Sequence, residues 1–302
     1  MLLSMDIRKI QRTGDMNYLY LPTSWCKEYG VSSSSSVSLT RGAGGSLIVT
    51  PKIMKKKPKH VELNISGNNV EVINKIVMAC YINPTDSFKI HLEKALDYRE
   101  LLNQKRLVSV ELVEVEDNGK TITCESSVTV GDPDMLLRTM VNKIKNMLVV
   151  MTQNPNDELV QKYEEEIDRN RIMVDKSVIS AMTYNTESKL RTVDLFYTAL
   201  IAKDLERLAD HIIVIDEKEK DFLKDVLEVV RSLKDVIDLA TEPRKDQNGL
   251  DYQSAVNFAE KAIALKEGKA KGIESYHKVR IRHYLLNISD VLIDWAVTNK
   301  SE

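Results

Sequence analysis

Apolar positions along this chain follow one spacing, then another, and the changes mark its parts. Up to about residue 50 they form short clusters broken by glycine and serine. Ile7 and Ile10 flank Arg8-Lys9, Gln11-Arg12-Thr13-Gly14 supplies a turn, and Tyr18-Leu19-Tyr20-Leu21 is strand-like. Pro22 opens a short helix, where its missing N–H costs nothing. Trp25 and Tyr29 give that helix an apolar stripe, and Gly30 is placed to end it in the left-handed conformation. Val37–Thr40 and Leu47–Val49 alternate as strands about the turn Arg41–Gly45.

From 60 to 130 the period switches between that of a strand and that of a helix. Val61–Ile65 and Ser87–Leu92 alternate as strands, and Val70–Tyr81 and Ala95–Asn103 have helical spacing. Leu107–Val115 and Lys120–Val128 form a hairpin around Asp117-Asn118-Gly119, giving a βαβαββ module.

Beyond Gly131-Asp132-Pro133 the pattern is helical, with Asp132 or Asp134 as cap. Breaks predict six helices: Pro133–Gln153, Asp157–Thr183, Ser188–Ile215, Lys218–Thr241, Tyr252–Glu267 and Ile273–Thr298. Short joins favour antiparallel neighbours. Leu205–Ile213 is echoed eighty residues later by Leu285–Ile293, with apolar positions and an aspartate in register. The third helix thus resembles the sixth, which implies two three-helix bundles in tandem. The expected fold is a multidomain α+β chain: a β-rich head (1–52), an α/β spacer (60–130) and a helical body (131–302).

Charge sharpens this division. The net charge of -2 over 302 residues hides an asymmetry. Residues 1–59 carry ten Lys/Arg and three Asp/Glu, about +7, which leaves about -9 for the rest. A basic head on an acidic body suggests separate partners, with nucleic acid a candidate for the head. The run Lys52 to Lys59 reads most simply as a solvated linker. Three cysteines without a Cys-x-x-Cys pair argue against a disulfide framework or thiolate zinc site. No apolar run approaches a membrane span, and Asp6 soon followed by Arg8 and Lys9 is unlike a signal peptide. A cytoplasmic protein without membrane insertion is expected. No phosphate loop, dinucleotide fingerprint or nucleophile–base grouping occurs, so the chain is not expected to be an enzyme.

Two carboxylate pairs stand out. Glu164 and Asp168 lie four residues apart in one predicted helix, as do Glu206 and Asp210 in the next. Positions i and i+4 share a helix face, where like charges repel unless a cation lies between them. Facing each other, the pairs could supply four oxygen ligands to Mg, Mn, Ca or Fe, with zinc less favoured. The alternative is that they are solvated residues of acidic helices. Asp204, Arg207 and His211 read as supporting or surface groups. No facing pair of Glu-x-x-His motifs, as in ferritin-like oxidases, is present.

The β-β-α-β-β order of the head, with Leu21-Pro22 at the strand–helix joint and a terminal Ser46-Leu47-Ile48-Val49 strand, resembles the SpoVT/AbrB swapped-hairpin family. That resemblance implies an interleaved homodimer and duplex DNA as a partner, with Arg8, Lys9, Arg12 and Arg41 contacting it. The other reading is a dimerisation clip with an incidental positive surface. The body, through Leu205-Glu206-Arg207-Leu208-Ala209-Asp210-His211 and Glu164-Glu165-Glu166-Ile167-Asp168-Arg169, resembles the PhoU phosphate-uptake regulators. This implies two three-helix bundles, metal held by Glu164, Asp168, Glu206 and Asp210, and a role in phosphate homeostasis. The phosphate transporter or its signalling partners would then be contacted by a homodimer or higher oligomer. The second repeat departs from the pattern: Leu286 stands in the place of Glu206, and Ala264 follows Glu260 by four residues. One metal site, in the first repeat, is expected.

Overall fold

The computed structural model describes residues 7–41, 46–51, 59–83, 85–97, 113–125, 131–184, 190–241, 250–267 and 272–300. The chain divides into two compact units, Met1–Lys57 and Pro58–Glu302.

In the first unit, β1 (Gln11–Thr13) and β2 (Met16–Tyr18) pair antiparallel, Thr13 opposite Met16. Gly14, at φ 60°, makes the tight reversal. The first hairpin is therefore displaced from its expected place: residues 7–10 are outside any strand, and the return strand ends at Tyr18 rather than Leu21. The turn glycine sets this register, because strand pairing propagates outward from it in both directions. Helix α1 (Thr23–Glu28) follows Pro22. It ends as its sequence predicts: Gly30 sits at φ 64° and the Val31 amide donates to the Cys26 carbonyl at 2.8 Å. A second hairpin pairs β3 (Ser38–Arg41) with β4 (Leu47–Thr50). None of the described residues of this unit is buried.

The second unit begins with β5 (His60–Ile65), α2 (Val70–Ile82) and β6 (Ser87–Leu92). Asn69 caps α2, accepting from the Val72 amide at 3.1 Å. The hairpin β7 (Val113–Glu116) and β8 (Thr121–Glu125) completes a sheet in the order β5-β6-β8-β7. The β5/β6 pair is parallel and the others antiparallel. Of the helix expected over Ala95–Asn103, Ala95–Asp97 are non-helical and the remainder lies outside the described residues, as do the outer ends of the hairpin. The reason is local. The Leu96 amide donates to the Gly119 carbonyl, and a Cβ on Gly119 would run into the Leu96 backbone, so this stretch is pinned to the hairpin turn.

The helices that follow are α3 (Pro133–Gln153), α4 (Asp157–Tyr184), α5 (Thr192–Ile212), α6 (Lys220–Thr241), α7 (Tyr252–Ala264) and α8 (Ile273–Lys300). Pro133 stands in the first turn of α3 after Asp132. Asn156 caps α4 through the Leu159 amide at 2.9 Å, and Asp251 caps α7 through the Ser254 amide at 2.8 Å. Helix α3 packs on α4, α5 and α6; α8 packs on α5 and α7. One apolar core runs through all six, from Leu137 and Met140 on α3 to Leu292 and Trp295 on α8. It does not split into one core per predicted bundle.

The two echoing segments are both in this core and share a burial pattern. Leu205, Leu208 and Ile212 are buried, as are Leu285, Ile288 and Leu292. Helices α5 and α8 run antiparallel against each other: Asp194 meets Trp295 at one end and His211 meets His277 at the other. The α/β module also belongs to the second unit. Ile172 of α4 enters its core beside Val77 and Phe88, and the Tyr81 hydroxyl approaches the Met173 sulfur at 3.9 Å. The Lys176 ammonium lies 4.0 Å from the centre of the Tyr81 ring.

Candidate metal centre on helices four and five

Helix α4 is amphipathic, and its one-turn spacing sends Glu164 and Asp168 to the same side, with Ile167 buried between them in sequence. Helix α5 packs against α4 and brings Asp210 to that side. Glu164, Asp168 and Asp210 each offer a carboxylate oxygen, and these lie within 4.8 Å of one another. Glu164 is only 6% exposed, Asp168 half-buried and Asp210 exposed, so the group opens outward from a buried floor. Glu206 is half-buried and is not part of that group. Three of the four residues singled out from the sequence therefore converge, and the fourth stands apart.

Three carboxylates so close repel one another, the more so where one is withdrawn from water. The all-oxygen donor set fits a hard cation, with water completing its shell. Around the group, Lys143 donates to Glu166 at 2.7 Å across α3 and α4. Asp204 lies six residues before Asp210 on α5. Burial raises its pKa, against the opposing pull of Arg207, His283, Lys203 and a hydrogen bond from Asn287.

One pair of side chains escaped the sequence reading. His211 and His277, 66 residues apart, meet with their Nδ1 atoms at 2.8 Å. No local spacing signals this contact, because it depends on how α5 and α8 are registered.

Arg8, Lys9, Arg12 and Arg41, the candidate nucleic-acid contacts, are all exposed. Arg41 closes β3, and Arg8 and Lys9 precede β1. Arg12 is engaged within its own hairpin: its Nε donates to the Gly14 carbonyl at 3.0 Å, and its guanidinium is 3.7 Å from Asp15.

Residues 136–218 match the family model of the PhoU domain. The match runs from the first turn of α3 to just beyond α5, and so contains all three converging carboxylates. No curated protein and no solved structure matches the chain. The PhoU domain is consistent with a role in phosphate homeostasis. No described helix is long and apolar enough to cross a membrane.

Proposed function

We propose that this protein is a cytoplasmic, non-catalytic regulator of phosphate homeostasis that works by protein–protein contact through its helical body. The observation that carries this reading is the coincidence of the PhoU-domain match with the convergence of Glu164, Asp168 and Asp210. These carboxylates would hold one hard cation, Mg, Mn, Ca or Fe, with Glu206 reaching it through water. The ion offsets most of the group's negative charge and presents a polar, charged face to a phosphate transporter or to its signalling partners. The SpoVT/AbrB-like head brings two copies together, since its apolar residues, such as Tyr18 (42% exposed) and Leu39 (61%), are uncovered within one chain.

Capture of partners from phosphate-replete and phosphate-starved cells tests the reading. Retention of a phosphate transporter or its signalling partner, weakened by Asp168→Asn with Asp210→Asn, is the expected result. Equal recovery with this double variant and with the unaltered chain would remove the metal cluster from the interface.

The exposed basic residues of the head favour a second reading, a DNA-binding transcriptional regulator with the helical body as its sensor. Salt-dependent binding to duplex DNA decides between them. On the second reading Arg8→Ala with Arg41→Ala lowers the slope of log affinity against log salt by about 2, one per lost phosphate contact. An unchanged slope removes the DNA role.

A further inference from the structure

The Nδ1 atoms of His211 on α5 and His277 on α8 converge at 2.8 Å, with ring centroids 5.0 Å apart. Each Nδ1 carries either a proton or one in-plane lone pair. The two nitrogens face each other across a hydrogen bond whose donor depends on the tautomers. We propose that this pair binds one borderline divalent transition ion, zinc, nickel or copper, between the two repeats of the helical body.

The geometry is close to what such an ion needs. Two imidazole nitrogens at about 2.0–2.1 Å from a tetrahedral ion are separated by about 3.3 Å, so the rings must move apart by about half an ångström and turn so that both lone pairs aim at an ion beside the line between them. Both histidines are half-buried, which leaves a solvent side for water ligands. Their rings are held by aromatic neighbours: Tyr284 stacks on His211 at 5.7 Å, and Tyr276 meets His211 and His277 edge-on at 5.8 and 5.4 Å.

The pair is chemically distinct from the carboxylate group. Imidazole suits zinc, nickel and copper, whereas a set of oxygens suits magnesium, manganese and calcium. Asp210 and His211 are consecutive on α5, so their side chains diverge by about 100°. Among the described residues no further His, Cys, Asp or Glu completes a group with the two histidines within 4.8 Å. Water therefore fills the other positions, and Glu274, one turn before His277 on the same face of α8, offers a third donor by rotation. Arg280 opposes a cation here, because its contacts with the neutral Tyr284 hydroxyl and ring leave its charge in place. The affinity should thus fall below that of a closed four-ligand site, as suits an ion that comes and goes.

Zinc added to the chelator-treated full chain tests this. The melting temperature should rise with zinc, because the ion binds α5 and α8 together only in the folded state. His211→Asn or His277→Asn should weaken zinc binding at least about tenfold, the low end of what even a partner supporting a ligand is worth. Glu164→Gln with Asp168→Asn should leave that binding in place, and excess magnesium should not displace it. Zinc binding unchanged in both histidine variants, or lost only in the carboxylate variant, overturns the proposal. Copper bound to the unaltered chain provides a reading that needs no variant: its electron spin resonance should show coupling to two imidazole nitrogens, and an all-oxygen spectrum counts against the pair.

Discussion

Asp194 shows how one side chain can tie together helices 101 residues apart. It sits in the first turn of α5, where its oxygens accept from the Arg191 amide and guanidinium at 2.6–3.1 Å and from the Trp295 indole at 2.7 Å. Removing it leaves a partly buried guanidinium and a buried indole N–H without that acceptor. Asp194→Ala should cost about 3 kcal/mol and Trp295→Phe about 1 kcal/mol, measured by urea denaturation. Lys176 works the other way. Burial at the junction of α4 and the sheet lowers its pKa below the ordinary 10.5, against the attraction of Cys124 and Asp86. The folded state therefore releases this proton before the unfolded state does. Its charge costs stability at neutral pH, and that cost fades as pH rises from the folded value towards 10.5. Lys176→Met should be neutral or stabilising at pH 7, and its advantage should shrink in melts taken at rising alkaline pH. A fixed difference across that range would show that the ammonium is not the cause.

At the scale of elements, the six long helices were legible because their apolar residues recur at helical spacing; of their caps only Asp132 or Asp134 was expected, and Asp132 stands at that position without a side-chain cap bond. Asn156 and Asp251 cap α4 and α7. The ends least well anticipated are those of the head, where short strands carry little periodic signal and one glycine sets the register. The turn between β7 and β8 was also legible, but its partner was not. Asp117, Asn118 and Gly119 all have positive φ, and Gly119 lies against the Leu96 backbone. Gly119→Ala should therefore destabilise the second unit by roughly 2 kcal/mol or more, through both its backbone conformation and the clash. A change below about 0.5 kcal/mol in equilibrium unfolding would mean that this contact yields easily. Deep in the body, Ile144 on α3 is fully buried, and Ile144→Ala should cost about 2–5 kcal/mol.

For the whole molecule, the contrast between units matters most. Residues 58–302 hold two apolar clusters of their own, while the described residues of 1–57 bury none. The first unit should therefore depend on association and the second should not. Residues 58–302 alone should unfold cooperatively at a temperature independent of concentration, whereas residues 1–57 alone should gain structure as concentration rises. Sedimentation with circular dichroism checks both, and a structured monomeric head would contradict the expectation.

The amino-acid sequence by itself determined the helices, the basic head and acidic body, and the repeat that joins Leu205–Ile213 to Leu285–Ile293. All of these follow from spacing and charge within a few turns of chain. Only the tertiary structure decided that the repeats share one core, that Asp210 joins Glu164 and Asp168 while Glu206 does not, and that His211 meets His277. The physical reason is register. Spacing places a residue on a face of its own helix, but the fit of buried side chains between helices fixes which residue it meets across the interface.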